Sequence, residues 1–140
     1  LKEAKKAQKK AVRADVAGEL AELKSGLVER AGVRCGVFDR PALGADDLRD
    51  LVDRAKSLGP DLALAVFGRQ DGKVPYVLVC TGAARAKGLS AGDLARALKA
   101  AVGGGGGGRP EQAQGQGTDP AGVPAALESV RAAIEAALAD

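Results

Sequence analysis

The spacing of apolar positions changes several times along the chain. Over residues 1 to about 30 it is helical: Val12, Val16, Leu20, Leu23 and Leu27 form one stripe, and Ala4, Ala7, Ala11, Ala14 and Gly18 form a second on nearly the opposite side. Ala, Lys, Glu and Leu dominate this stretch and no Pro interrupts it, so one long helix is expected, weakened slightly at Gly18 and Gly26. Two stripes mean two faces to bury. The N-terminal lysines share the side of the Val/Leu stripe, so the C-terminal half of the helix is expected to dock while the N-terminal half projects.

After Gly32 the period drops to two, with Val33, Cys35 and Val37 alternating with Arg34 and Gly36 until Arg40-Pro41 ends the strand. A helix follows: Asp46 and Asp47 suit its N-terminus, Leu48, Leu51, Val52 and Ala55 make its inner face, and Gly59-Pro60 stops it. Leu62 to Phe67 is apolar throughout, the mark of a central strand covered on both faces. Asp71-Gly72 has the chemistry of a tight hairpin turn, and Val74 to Cys80 is the returning strand. Ser90 and Asp93 resemble a capping box ahead of a helix that turns Leu94, Leu98 and Val102 inward. The run Gly103 to Gly108 ends that helix and reads as a glycine-rich loop. Asp119-Pro120 is a good N-cap and N1 pair for a last helix carrying Val123, Leu127, Val130, Ile134 and Leu138. Between them, polar alternation and the glutamines Gln112, Gln114 and Gln116 point to an exposed edge strand or an ordered loop. The expected architecture is α/β: a helical segment over 1–31, then a small globular domain over 32–140 with a mixed β-sheet packed by helices.

Composition sharpens this outline. The 140 residues suffice for one modest core, and 46% are hydrophobic, but with one Tyr and two Phe that core must be built from Ala, Val and Leu. No apolar run approaches the roughly 20 residues of a membrane span, and no signal-peptide pattern opens the chain, so a soluble protein of the cytoplasm or an organelle is expected. Cys35 and Cys80 each sit inside an apolar run without CxxC or Cys/His spacing, which favours buried thiols over a disulfide or a metal site. Histidine is absent, removing the commonest general base and metal ligand. The net charge of +3 is uneven: Lys2, Lys5, Lys6, Lys9, Lys10 and Arg13 crowd the start, and the remainder is slightly acidic. That cluster reads first as a solvated helix face, and any nucleic-acid surface has to be local.

Taken alone, six consecutive glycines read as a flexible linker. Two features oppose that reading. The run lies between two patterned segments of one small domain, and it leads into Arg109, whose guanidinium can pair bidentately with a phosphate or a base edge. Glycine backbone can also present successive N–H groups to an anion without obstruction. A Walker loop is excluded, because the last glycine is followed by Arg-Pro rather than Lys and a hydroxyl residue.

The string GGGGGGRPEQAQGQG resembles the glycine-rich motif near the C-terminus of bacterial alanyl-tRNA synthetases. The neighbouring GKVPYVLVCTG, LSAGDLARALKAAVG and DPAGVPAALESVRAAI look like the strand and helices around that motif. The likeness is strongest from Gly72 onward. It departs where the family commonly has Asp and Met or Phe before Ala-Gln and this chain has Glu111 and Gln112, and where the family often has Ala-Gly-Gly and this chain has Gly115-Gln116-Gly117.

The resemblance implies a non-catalytic C-terminal domain that binds the tRNA for alanine, at its elbow, and helps link aminoacylation with editing. It also implies partners in the other domains of a parent ligase and a helical part associated with dimerisation; the small residues Ala4, Ala7, Ala11 and Ala14 allow close approach but bury little area each, so a weak homodimer through the N-terminal helix is expected. The parent would use ATP, Mg and Zn; this fragment would carry no cofactor, catalytic residue or metal ligand. The matching motif positions Gly104, Gly105, Gly106, Gly107, Gly108, Arg109 and Gln114 are the expected RNA contacts. Arg85 and Lys87, after a strand end, and Lys99, a turn before the glycines, could border the same face.

Two other readings stay open. The nucleic-acid-binding domain of DHH-type phosphoesterases shares the fold class, but there a His and Ala-Ala-Gly usually follow the glycines, where this chain has Arg109-Pro110. The other reading is a dimerisation module in which the two-faced helix is a seam and the glycines a connector.

Overall fold

A computed structural model describes residues 16–30, 32–40, 43–58 and 61–138. They form a mixed sheet with helices on both faces. In chain order the elements are α1 (Val16–Gly26), β1 (Val28–Arg30), β2 (Val33–Asp39), α2 (Ala45–Ala55), β3 (Leu62–Phe67), β4 (Val74–Cys80), α3 (Ala83–Ala86), α4 (Ala91–Val102), β5 (Gly105–Gly108), β6 (Gln112–Gly117) and α5 (Val123–Leu138). The six strands are ordered β1-β2-β3-β4-β6-β5, with β2 and β3 parallel and every other pair antiparallel.

The long helix departs from expectation. Residues 1–15, with Ala4, Ala7, Ala11 and Ala14, lie outside the described residues, and α1 ends at Gly26 instead of near residue 30. Val28, Glu29 and Arg30 instead pair antiparallel with Val33, Arg34 and Cys35, and Gly32 at φ +83 supplies the left-handed turn between them. The strand pairing satisfies backbone groups that a further helical turn would have left at a frayed end. From the first stripe, Leu23 is buried and Leu20 and Leu27 pack against the core, so this part of the helix does dock.

Strand alternation splits the core in two. One face carries Val33, Cys35, Ala63, Ala65, Phe67, Val74, Tyr76 and Leu78 against α4 and α5; the other carries Leu62, Leu64, Val66, Val77 and Val79 against α1 and α2. Every residue of β3 and β4 is buried, which explains the unbroken apolar run of β3. The hairpin turn is the expected one: Asp71 and Gly72 have φ 54 and φ 76, and Gln70 and Lys73 exchange backbone hydrogen bonds of 3.0 and 2.9 Å. Ser90 Oγ accepts from the Asp93 N–H at 3.3 Å, and Asp119 accepts from the Ala121 N–H at 3.1 Å, so both expected caps form.

The glycine run is the main correction. Gly103 caps α4 at φ 72, but Gly105–Gly108 is a strand, β5, rather than a loop, and it forms the sheet edge. The glutamine segment is the interior strand β6, between β4 and β5, rather than an edge. Tyr76, Gly115 and Gly106 stand opposite one another across three strands. The Tyr76 ring lies over both glycines: a Cβ at Gly115 would meet the Tyr76 hydroxyl at 2.5 Å and Cζ at 2.7 Å, and one at Gly106 would strike the same hydroxyl. In the flanking rows Val74 faces Gly117, and Leu78 faces Ala113 and then Gly108. Side chains therefore shrink toward the edge, and α4 can approach so closely that a Cβ at Gly92 would lie 3.1 Å from the Gly108 carbonyl oxygen.

Gly115→Ala should lower stability by about 1 to 3 kcal/mol, the cost of overpacking a filled site, with the urea midpoint as readout. Stability should also fall in alkali. Burial pushes the Cys80 thiol up from 9.0 to about 11, against an opposing pull from the Arg85 charge, and burial raises the Tyr76 hydroxyl as well. The unfolded chain ionises Cys80 near its ordinary pKa while the folded chain keeps the proton, so this contribution is complete below pH 9 and is lost as pH rises through about 11. Cys80 alone should account for a loss on the order of 2 kcal/mol, measured by urea titration at neutral pH and about pH 11 and reduced in Cys80→Ala.

Candidate nucleic-acid interface

β5 presents the backbone of four consecutive glycines along an open sheet edge, and Gly105, Gly106 and Gly108 are exposed. An edge strand leaves one row of N–H and C=O groups without ladder partners, and here no side chain shields them. Arg109 follows in the turn to β6, held by its N–H donating to the Gln112 carbonyl at 2.9 Å. Its side chain is exposed and makes no hydrogen bond or ion pair with the described residues.

Arg85 reaches this edge from α3. Its Nη1 donates to the Leu89 carbonyl at 2.8 Å, which fixes the guanidinium beside the α3–α4 connection. With Ser90, Gly92, Arg96, Gly108 and Pro110 it lines a cavity of about 360 Å³. Arg96 was not singled out from the sequence; it is ion-paired to Asp93 one turn earlier and faces the β5 end of the sheet. The signal that finds it is its place four residues after Gly92, the residue in contact with Gly108. Lys99 lies a further three residues along, exposed on the same stripe of α4. Lys87 caps α3 and is half-buried, and it lines none of the cavities at β5. The fold therefore brings Arg85 to the cavity lined by Gly108 and Pro110, with Arg109 lining a separate one, sets Lys99 farther along the helix, and leaves Lys87 outside those cavities.

Gln114 projects from the other face of the sheet, opposite Gly107 on one side and Val77 on the other. Gln116 projects beside it, opposite Gly105 and Pro75. Helices α1 and α2 do not extend over this end of that face. A groove of about 340 Å³ remains there, walled by Ala45, Leu48 and Arg49 of α2 and floored by β5 and β6. The glutamine pair was only half legible: Gln114 belonged to the recognised motif, whereas Gln116 stands at a departure from it.

Both cysteines are buried free thiols, Cys35 donating to the Val28 carbonyl at 3.2 Å, and burial raises both pKa values. Among the described residues no group of three or more Cys, Asp or Glu side chains is placed to hold a metal, and no helix is long and apolar enough to cross a membrane.

Residues 32–137 match the DHHA1 domain. The chain is 39% identical over 136 residues to the alanine-tRNA ligase of Leifsonia xyli, a match covering 92% of the chain and 15% of that protein. It is 42% identical over 94 residues to the ligase of Corynebacterium jeikeium, covering 66% of the chain and 11% of that protein. It thus spans a small part of these relatives. Among solved structures, the C-Ala domain from Aquifex aeolicus alanyl-tRNA synthetase superposes with a TM-score of 0.61 at 24% identity, covering 81% of this chain and 98% of that one. RecJ from Thermus thermophilus superposes with a TM-score of 0.54 at 17% identity, covering 93% of this chain and 18% of that one. At these identities the structural likenesses establish the shared fold. The match over residues 32–137 goes further: this chain belongs to the DHHA1 domain family, and it is homologous to a segment of alanine-tRNA ligases.

Proposed function

We propose that the chain is the tRNA-binding C-terminal module of an alanine-tRNA ligase, and that it contacts RNA with the β5 edge and the guanidinium groups around it. The observation that carries this reading is the convergence of an unshielded glycine backbone with Arg109 and with the Arg85 and Arg96 cavity at the same end of the sheet. Backbone N–H groups and guanidinium groups are the donors that phosphate and ribose oxygens accept from, and such contacts set position without reading sequence. The nearest acids, Asp93 and Glu111, hold the surface charge down, so the attraction is local and binding is modest and sensitive to salt.

In the parent enzyme this module would grip the tRNA elbow while separate domains aminoacylate and edit. ATP, Mg and Zn would be held by those domains. A Zn ion would find no His in this chain, and both of its thiols are buried. The relatives' identity favours this reading over the phosphoesterase one, because the chain is 34% to 43% identical to alanine-tRNA ligases over the aligned segments.

Titrating the 140-residue chain with a transcript of the tRNA for alanine should give binding that weakens steeply as salt rises. Arg109→Ala should weaken it by about 1 to 3 kcal/mol if the guanidinium pairs with a base edge, and more uniformly across RNA sequences, with a smaller salt slope, if it pairs with phosphate. Unchanged affinity in a folded Arg109→Ala protein would reduce β5 to a structural edge. The chain alone should show no alanine-dependent pyrophosphate exchange above background.

A further inference from the structure

The glycines of β5 are not equivalent. Gly106 and Gly108 face α4, and a Cβ at either would collide with the Tyr76 hydroxyl or with the backbone of β6. Gly105 and Gly107 face the other way. A Cβ at either would meet nothing within 4 Å, and neither has a left-handed φ. Internal packing thus accounts for glycine at 106 and 108 and not at 105 and 107, although glycine weakens a strand relative to residues with a side chain.

What a side chain at 105 or 107 would obstruct is visible from the register. Gly107 lies directly opposite Gln114 and Gly105 directly opposite Gln116. Gln112, Gln114 and Gln116 follow one another on this face, about 6.6 Å apart along β6. Their amides make no hydrogen bond with the described residues. Arg109 and Gln114 line one cavity of about 350 Å³, and Gln114, Gln116 and Arg49 line the adjoining groove. The result is a glutamine ladder with flat, bare backbone beside it and a guanidinium toward each end. Arg49 is ion-paired to Asp46, which moderates its charge without removing its remaining donors.

We infer that this ladder is a reading track for unpaired nucleotides: bases lie against the Gly105–Gly107 backbone with their edges on the Gln114 and Gln116 amides, and Arg109 and Arg49 hold the flanking phosphates. The inference rests on the proposed RNA-binding role and adds its substrate class, single-stranded rather than base-paired segments. A glutamine amide offers a donor and an acceptor side by side, which suits the edge of an unstacked base. In a duplex those edges are occupied or lie in a groove this nearly flat face cannot enter. Gln116 is the specificity residue of the track.

The test compares the unaltered 140-residue chain with Gln114→Ala/Gln116→Ala and, separately, Gly107→Val. Affinity is measured by fluorescence anisotropy for a single-stranded RNA of mixed sequence, for the same strand annealed to its complement, and for the tRNA transcript. Both variants should keep or exceed the parental melting temperature. Both should lose about tenfold or more on the single strand and the transcript, the scale of one lost amide-to-base pairing, and less than about twofold on the duplex. Equal losses on single strand and duplex would overturn the track and leave backbone contacts alone. Unchanged affinities in both variants, with binding still lost in Arg109→Ala, would likewise overturn it while sparing the RNA-binding role. An unaltered chain that binds none of the three RNAs would remove that role and the track together.

Discussion

The β5 end of the sheet is organised by the contact between one buried tyrosine and two glycines. Tyr76 is the chain's only tyrosine, and its ring lies across Gly115 and Gly106 with its hydroxyl 3.5 Å from the Ala95 carbonyl of α4. Glycine strands lack the side chains that normally hold a sheet together, and an aromatic from the neighbouring strand covers them from one side. With the ring in place, α4 closes over that side. Phe67 supports the ring from β3 at a centroid separation of 5.7 Å. The opposite side of β5 and β6 receives no comparable cover, so the packing that stabilises the edge also determines which of its faces stays open.

This constraint separates structural from functional demands within a single run of identical residues. Strand alternation gives successive glycines opposite surroundings: a Cβ on Gly106 or Gly108 would strike neighbouring atoms, and one on Gly105 or Gly107 would meet nothing within 4 Å. The charged groups divide in a similar way. Arg85 is held by a hydrogen bond to the Leu89 carbonyl, and Arg96 forms an exposed ion pair with Asp93; both line the cavity beside Gly108. Arg109 is fixed only through its backbone, leaving its side chain free to follow a ligand.

The legibility of these features in the sequence followed how local their causes were. The Asp71-Gly72 turn, the Ser90 and Asp119 caps and the all-buried β3 follow from chemistry within a few residues, and each was readable. The glycine strand was not. No local preference makes a strand of Gly105–Gly108; it is extended because β6 pairs with it and Tyr76 covers it, and both contacts depend on tertiary structure. β6 was misplaced at the edge for the same reason, since its exposed glutamines imitate an edge strand while the partner beyond it has no side chains to announce itself. The short β1 failed differently: the helical stripe ran to Leu27 and the helix was expected to continue to about residue 30, but Gly32 permitted a hairpin turn that recruited Val28 to Arg30 into the sheet. For the candidate site, the recognised motif suggested the glycines, Arg109 and Gln114, whereas Arg96 and Gln116 became candidates only when strand register and helix facing were known.

A domain that interrupts its own sheet with glycine gives up cohesion at that edge, because each glycine carries more unfolded-state entropy and buries less area than another residue would. At Gly106 and Gly115 the loss is offset by the Tyr76 ring and the close approach of α4. At Gly105 and Gly107 no contact within the chain offsets it. A sheet whose stability alone mattered would carry β-branched residues at those two positions, where space and backbone conformation both permit them. Under the proposed RNA-binding role, glycine at these two positions lets a ligand approach the strand edge closely, and the unsupported edge is the stability cost of that approach.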